Sequence, residues 1–230
     1  EKREDIKKII ITASGGPFLN LSKSQLKKVK PSQAINHPKW SMGKKISIDS
    51  ATMANKIIEL IEAQKIFSYR IEKFEILIHP QSLVHAIVLF KNGITKFLYH
   101  EPDMIVPIAN AIYEGKIEIN KKINKKLTHI KNLTFLKPQI NTFPILKLVN
   151  RLVKDPSAPI IFNATNEIFV DHFLNKKISF PGILDNLFKV FKHKNYKKYA
   201  IQNPSNLKKI LYIDNWSRNV ANEIIKIKKY

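Results

Sequence analysis

The chain has 230 residues and no cysteine, so disulfide bonds and thiolate metal sites are excluded. Hydrophobic residues make up 44% of it, enough for a buried core, and no apolar run reaches the roughly 18–20 residues that a membrane span needs. There are 40 lysines and arginines against 18 acidic residues; the resulting net charge of +22 fits either a nucleic-acid binder or a composition biased towards lysine.

The positive charge is spread thinly along the sequence. The lysines stand in ones and twos on ordinary helical segments, and the sequence has no arginine-rich arm, zinc-ligand spacing or aromatic RNA-binding strand. These features favour the biased composition, and we expect no specific nucleic-acid partner. The first residues, "EKREDIKK", are charged and begin with Glu, so we expect part of a longer polypeptide or a processed one.

The N-terminal part predicts a strand, a loop and a helix. "KKIIITA" (7–13) is typical of a buried strand and is followed by the turn "SGGPF". Residues 19–44 contain a short polar helix, "SKSQLKKV", and then irregular sequence long enough for a functional lid. From about Ser50 to Ser68 the apolar spacing is helical, and Ser50 is the expected N-cap.

Two further strands and a helix are predicted next. "FEILIHP" is the first strand, and the turn Lys91-Asn92-Gly93 joins "HAIVLF" to "ITKFLYH" as a hairpin. "DMIVPIANAIY" then predicts a helix with Asp103 as its N-cap.

Beyond residue 140 the pattern indicates amphipathic helices, one of which begins at Pro159. Three apolar stripes mark the others: Ile145, Leu148, Val149, Leu152; Ile183, Leu184, Leu187, Phe188, Phe191; and Trp216, Val220, Ile224, Ile227. We therefore predict an α/β (α+β) catalytic domain at 1–112 with a mobile lid at about 14–44. A connecting arm at 113–140 and a C-terminal helical bundle at 141–230 complete the prediction.

The chemistry is concentrated in the first hundred residues. In a helix, Asn55, Lys56 and Glu59 project within an arc of about 100°, which places an amide, an ammonium and a carboxylate on one side. The alternative is a plain i,i+3 ion pair between Lys56 and Glu59. Ser50 at a helix start and Ser14 before two glycines suit phosphate binding, although an N-cap and a strand-ending turn need the same residues.

The histidines, taken by themselves, are weak evidence for a functional site. His37 and Trp40 lie on the predicted lid, where a bound ligand would cover the Trp. His79 and His85 are six residues apart, with Ser82 between them, and this spacing does not define a metal site. The residues alone therefore indicate a phosphate-binding α/β site with one good carboxylate, and the reaction stays open.

Four motifs in register resemble the 1-deoxy-D-xylulose 5-phosphate reductoisomerase family: "ASGGPF", "HPKWSMGKKISIDSATMANKIIE", "EILIHPQSLVHAIV" and "EPDM", with "FNATNE" following at 162–167. The resemblance implies three parts: an NADPH-binding Rossmann domain, a catalytic α/β domain with a lid, and a helical bundle. This chain resembles the last two. Family members rearrange 1-deoxy-D-xylulose 5-phosphate and reduce the product with NADPH to 2-C-methyl-D-erythritol 4-phosphate, using Mg or Mn.

The resemblance also implies residue roles. It makes Glu59 the metal ligand and, with His37 and Trp40 of the lid, a catalytic residue, while Gly43 approaches NADPH. The residues that it places around the substrate are Ser14, His37, Ser50, Asn55, Lys56, Glu59, Ser82, His85 and Met104.

The chain departs from the family pattern in several places. Ile57 stands where the family has a small residue, and His100 where it has glycine. The family's Asp-Ser-Glu metal motif and its glycine-rich dinucleotide fingerprint are expected before residue 1. We therefore expect negligible turnover from this chain alone, and a homodimer in the cytosol of a bacterium or in a plastid for the complete enzyme. The alternative is a non-catalytic relic that binds polyanions.

Overall fold

A four-stranded sheet forms the N-terminal part of the molecule. The computed structural model describes residues 5–36, 42–118 and 132–226. The strands are β1 (Ile6–Ala13), β2 (Phe74–Ile78), β3 (Val84–Phe90) and β4 (Thr95–Tyr99), in the order β2-β1-β3-β4. Strand β1 runs parallel to β2 and antiparallel to β3, which forms the hairpin with β4 through Gly93 at φ +88°. The predicted strands and turn are confirmed.

In the described part of the connection, four α-helices lie between β1 and its parallel neighbour β2, which such a crossover allows. They are α1 (Lys23–Leu26), α2 (Pro31–Ala34), α3 (Lys44–Thr52) and α4 (Ala54–Phe67). The short polar helix is confirmed as α1.

The prediction of one helix that begins at Ser50 is wrong. Helix α3 already begins at Lys44, and Ser50 lies in its last turn, so Ser50 is not an N-cap. The break comes at Met53, whose φ is +72° and from which α4 starts. The Thr52 hydroxyl accepts from the backbone N–H of Ala54, which satisfies a backbone group at the break. Buried Ile48 extends the apolar face upstream of Ser50.

Helix α5 (Ile105–Ile112) follows the hairpin, close to its predicted position. Its N-cap position is Met104 rather than Asp103, yet Asp103 Oδ1 accepts from the backbone N–H of Ile105 at 2.9 Å. Part of the predicted arm, 119–131, lies outside the described residues. Further along, Leu136 forms an antiparallel bridge with Ile78 at the outer edge of β2.

The C-terminal part is helical, as predicted. A 3-10 helix (Pro144–Leu148) precedes α6 (Val149–Lys154), α7 (Ala158–Leu174), α8 (Phe180–Phe191), α9 (Tyr196–Ala200) and α10 (Leu207–Lys226). Helix α7 begins one residue before the predicted Pro159 and packs against α6, α8 and α10. Ile227 lies outside the described residues.

The hydrophobic core is continuous from the crossover helices into the bundle. Ile48 of α3, Ile57 of α4 and Phe162 of α7 are fully buried in it, and Phe18 meets Phe180 edge to face at 5.1 Å. The mixed α/β fold with a helical bundle is thus confirmed. The domain boundaries at 112 and 140 stay predictions. Within the described ranges, no helix is long and apolar enough to cross a bilayer.

Candidate functional site

A cavity of about 550 Å³ opens where β1 ends. The end of β1, the junction of α3 with α4, the beginning of β3, the end of β4 and the beginning of α5 all contribute to its wall. Eight of the nine residues that were predicted to surround a substrate line it: Ser14, Ser50, Asn55, Lys56, Glu59, Ser82, His85 and Met104. The fold therefore brings these side chains together, while the role of each stays a prediction.

The turn after β1 carries Ser14 to helix α3. Ser14 Oγ lies 3.4 Å from Ser50 Oγ and accepts from the backbone N–H of Gly16 at 3.1 Å. Gly16 has φ +69°, and a Cβ on it would lie 2.7 Å from Ala51 Cα. Only glycine allows so close an approach in that conformation, so the Gly-Gly pair sets the distance between the two serines.

The first turns of α4 carry the charged and amide side chains of the cavity wall. Glu59 accepts from Asn55 Nδ2 at 2.5 Å and pairs with Lys56 Nζ at 2.5 Å. The i,i+3 ion pair between Lys56 and Glu59, which the sequence offers as the alternative to a site, is therefore present. It lies in the cavity wall, however, and the Lys56 side chain is only 16% exposed. Because α4 begins at Ala54, Asn55 and Lys56 of the cavity wall lie in the first turn of this helix, rather than in a helix starting at Ser50.

Two stacked imidazoles also belong to the cavity wall. The rings of His85 and His100 are 3.7 Å apart, and His85 Nε2 donates to the carbonyl oxygen of His100 at 3.0 Å. Burial, with smaller contributions from the nearby positive charge of Lys56 and from the two neighbouring histidines, lowers the pKa of His85 to about 4. His85 is therefore uncharged at neutral pH.

Ser82 and His79 differ in their relation to the cavity. Ser82 lines it with φ +54°, is 6% exposed, and its hydroxyl has no hydrogen-bond partner within the described part of the chain. His79 is fully buried away from the lining, donates from Nδ1 to the carbonyl oxygen of Thr134 and stacks on Phe135 at 4.7 Å. Its pKa is lowered by burial, and its contacts make it a structural residue.

Sequence reasoning missed several lining residues. From the sequence, His100 stands only as a departure from the family pattern, and Met104 is the single apolar residue expected around the substrate apart from the lid. The further residues in the wall are Thr12, Ala13, Met42, Ile46, Met53, Leu98 and Pro107. A helical wheel begun at Lys44 would have shown Ile46, Ser50 and Met53 on one face.

The predicted lid and cofactor residues are placed only in part. Gly43 is the N-cap residue of α3 and is exposed, next to Met42, which lines the cavity. His37 and Trp40 lie outside the described residues.

The described residues do not build a metal centre by themselves. They contain no group of three or more His, Asp or Glu side chains that could hold a metal ion. Glu59 offers a hard carboxylate oxygen in the cavity wall, which suits Mg²⁺ or Mn²⁺ as one ligand. A complete site needs ligands beyond those in this part of the chain.

Two family models match the chain. Residues 1–67 match "1-deoxy-D-xylulose 5-phosphate reductoisomerase C-terminal domain", and residues 100–220 match "DXP reductoisomerase C-terminal domain". Curated relatives with the name 1-deoxy-D-xylulose 5-phosphate reductoisomerase are similar throughout. The protein of Pelagibacter ubique is 42% identical over 94% of this chain, and that of Geotalea daltonii is 40% identical over 97%. The chain spans 56% and 57% of their lengths.

Solved structures agree with these matches. A DOX-P reductoisomerase in complex with NADPH, fosmidomycin and magnesium has a TM-score of 0.93 and 36% identity, over 98% of this chain and 56% of its own. The Zymomonas mobilis 1-deoxy-D-xylulose 5-phosphate reductoisomerase in complex with NADPH has a TM-score of 0.86 and 38% identity, over 97% of this chain and 56% of its own.

Proposed function

Since the chain belongs to the 1-deoxy-D-xylulose 5-phosphate reductoisomerase family, we propose that it forms the substrate pocket of such an enzyme. The complete enzyme converts 1-deoxy-D-xylulose 5-phosphate to 2-C-methyl-D-erythritol 4-phosphate with NADPH and a divalent cation. The single observation that carries the proposal is the cavity in which hydroxyl, amide, ammonium and carboxylate groups converge at the junction of α3 with α4.

The phosphate of the substrate is bound between the turn after β1 and the start of α4. Ser14 and Ser50 supply hydroxyl donors 3.4 Å apart, Asn55 an amide and Lys56 a positive charge. The first-turn N–H groups of α4 add the partial positive charge of a helix N-terminus. Lys56 is held by Glu59, so its position is defined before the substrate arrives.

The sugar part of the substrate lies towards β3. Ser82 has a buried hydroxyl without a partner in the described residues, and a substrate hydroxyl supplies one. His85 is neutral at physiological pH because its pKa is lowered to about 4, and its Nε2 donates to the carbonyl oxygen of His100, so it adds no charge beside the substrate. Met104 borders the same end of the cavity.

Glu59 is the ligand that this chain provides for the cation, with Mg²⁺ and Mn²⁺ as the candidates. When bound, the cation stabilises negative charge that develops on substrate oxygens. The solved relatives that contain NADPH and magnesium support both cofactors. Gly43, with room for a close approach, remains the residue proposed to meet NADPH, and His37 and Trp40 are proposed to close over the substrate.

The proposal is tested with the complete enzyme that carries this chain. We expect consumption of NADPH that depends on both 1-deoxy-D-xylulose 5-phosphate and Mn²⁺, followed at 340 nm. A parallel titration of the 230-residue chain with the substrate by calorimetry reports the pocket alone. No substrate-dependent oxidation of NADPH by the folded complete enzyme contradicts the proposal.

We also propose that the complete enzyme is a homodimer. Helix α5 has no buried residue, and its stripe of Ile105, Ile108 and Ile112 is at least half exposed, as is Phe97 on the edge strand β4. So large an apolar surface beside the cavity suits a second copy of the chain. Light scattering after gel filtration should give twice the monomer mass, and Ile108→Lys should shift it towards the monomer. A monomeric unmodified enzyme overturns this part.

A further inference from the structure

A buried polar contact joins the helical bundle to the wall of the cavity. Asn166 of α7 donates from Nδ2 to Asp49 Oδ1 of α3 at 2.7 Å, across 117 positions of sequence. Asn166 is fully buried, and Asp49 is 1% exposed. The other oxygen of Asp49 accepts from Lys45 Nζ at 2.7 Å, within α3 itself. Each carboxylate oxygen of Asp49 therefore has a defined partner.

The contact acts on the helix that carries Ser50. On α3, Ile46 and Ser50 line the cavity, while Ile48 is buried in the core. Successive residues of an α-helix are about 100° apart, so a fixed direction for Asp49 fixes the direction of Ser50. Helix α3 has only nine residues and ends at Met53, so its tertiary contacts, the burial of Ile48 as well as the contact of Asp49, set its rotation.

Core packing alone does not explain an asparagine at position 166. Its Oδ1 is buried and has no hydrogen-bond partner within the described residues, which is unfavourable for stability. A leucine of similar size would fill the space without an unpaired oxygen. The amide instead donates to Asp49. Burial raises the pKa of Asp49, and the contact with Lys45 offsets part of that rise. Directional polar contacts of this kind specify geometry more than they stabilise it.

We propose that Asn166 is a positioning residue for the substrate pocket, acting through Asp49 to orient α3 and hence Ser50 towards Ser14. This inference rests on the proposed function, because the pocket it orients is the proposed phosphate site. Asn166 touches neither the cavity nor the substrate, so its effect is on binding geometry.

The test compares Asn166→Leu with Thr165→Val in the complete enzyme. Thr165 is the adjacent residue of α7, equally buried, and its hydroxyl donates only within its own helix, to the carbonyl oxygens of Ile161 and Phe162. Both variants should lower the unfolding midpoint. Only Asn166→Leu should also raise the KM for 1-deoxy-D-xylulose 5-phosphate, by about tenfold, as loss of a hydrogen bond to a charged group predicts.

Exchanging the side chains at positions 49 and 166 separates an effect on the geometry of the pocket from an effect on the stability of the fold. Asn166→Asp places two carboxylates in contact and should impair both folding and substrate binding. Adding Asp49→Asn restores one amide and one carboxylate, and the double variant should recover a KM within about threefold of the unmodified enzyme. The double variant keeps the contact between positions 49 and 166, so it tests the proposal even if Asn166→Leu does not fold.

The outcomes distinguish the two proposals. An unmodified complete enzyme without activity overturns the proposed function. An active enzyme in which folded Asn166→Leu keeps the KM of Thr165→Val overturns the positioning role alone. A stable double variant that fails to recover the KM overturns it as well.

Discussion

Glu59 and Lys56 lie side by side in the cavity wall. Substituting them distinguishes a purely structural ion pair from a substrate- and metal-binding site. If the pair were only structural, replacing either by Gln would change the free energy of unfolding by less than about 0.5 kcal/mol and leave catalysis unchanged. In the proposed site, Lys56→Gln should mainly raise the KM, because the phosphate is remote from the reacting carbons. Glu59→Gln removes a charge that the cation needs, so kcat should fall by at least about a hundredfold.

The measurement is steady-state kinetics on both variants of the complete enzyme across a Mn²⁺ titration. Partial recovery of kcat in Glu59→Gln at high Mn²⁺ is the expected signature of a weakened metal site. Glu62→Gln is the matched control, since Glu62 lies on the same helix but is exposed and does not line the cavity. A near-normal kcat of Glu59→Gln at low Mn²⁺ contradicts the role of Glu59.

His85 makes the stability of the fold depend on pH. Its pKa is about 4 in the folded protein against an ordinary value of 6.5, so between these values the unfolded chain binds the proton more readily. The contribution of His85 to stability is therefore complete above pH 6.5 and is lost as the pH falls towards 4. Denaturant unfolding at pH 7, 6 and 5 should show the free energy of unfolding decreasing as the pH is lowered.

His85→Gln should make this pH dependence shallower, because it removes one of the groups responsible. Part of the dependence should remain, since burial also lowers the pKa of His79. His193→Gln is the control: this residue follows α8, far along the chain from the cavity lining. The same pH dependence in His85→Gln as in the unmodified chain contradicts the prediction.

At the level of elements, the turn after β1 depends on glycine at position 16. Gly16→Ala combines a positive φ with a Cβ placed 2.7 Å from the backbone of Ala51, so the turn must move away from α3. We expect a loss of about 2–3 kcal/mol in the free energy of unfolding, measured by denaturant titration. Substrate binding should weaken too, because Ser14 moves with the turn.

Variants of two other glycines separate the effect of the positive φ from the effect of the contact between the new Cβ and α3. Gly93→Ala has the positive φ of +88° but open space around the Cβ, so it should lose only about 1 kcal/mol. Gly43→Ala has neither a positive φ nor an atom within 4 Å of the new Cβ, so its stability should change by a few tenths of a kcal/mol. Equal losses in the Gly16 and Gly93 variants would show that contact with α3 is unimportant.

For the whole molecule, the net charge of +22 raises the question of polyanion binding. A dispersed positive charge attracts nucleic acid nonspecifically, so duplex DNA should bind no tighter than about 1 µM at physiological salt. Its affinity should fall steeply as the salt concentration rises, in fluorescence anisotropy titrations. Tighter binding that resists salt, or a preference for one sequence, would support the polyanion-binding alternative.

Local sequence was sufficient for much of this fold. The strands of the hairpin, Gly93 at its turn, the bundle helices and the proline in the first turn of α7 follow from residue preferences and side-chain periodicity, which act over a few residues. Helix geometry also indicated Asn55, Lys56 and Glu59, and the residue types indicated Ser14 and Ser50. The family resemblance implied roles for these five and added Ser82, His85 and Met104, and all eight line the cavity.

Tertiary structure decided the rest. The break at Met53 moved Ser50 from a helix start to a helix end, and no periodicity marks it, because the left-handed turn is held by packing of Met53 and Ala51 in the core. The contact between Asp49 and Asn166 joins positions 117 residues apart, and the stacking of His100 on His85 joins the residue after β4 to β3. Such contacts depend on how elements pack on one another, and a one-dimensional pattern carries only the preferences of each element for its own conformation.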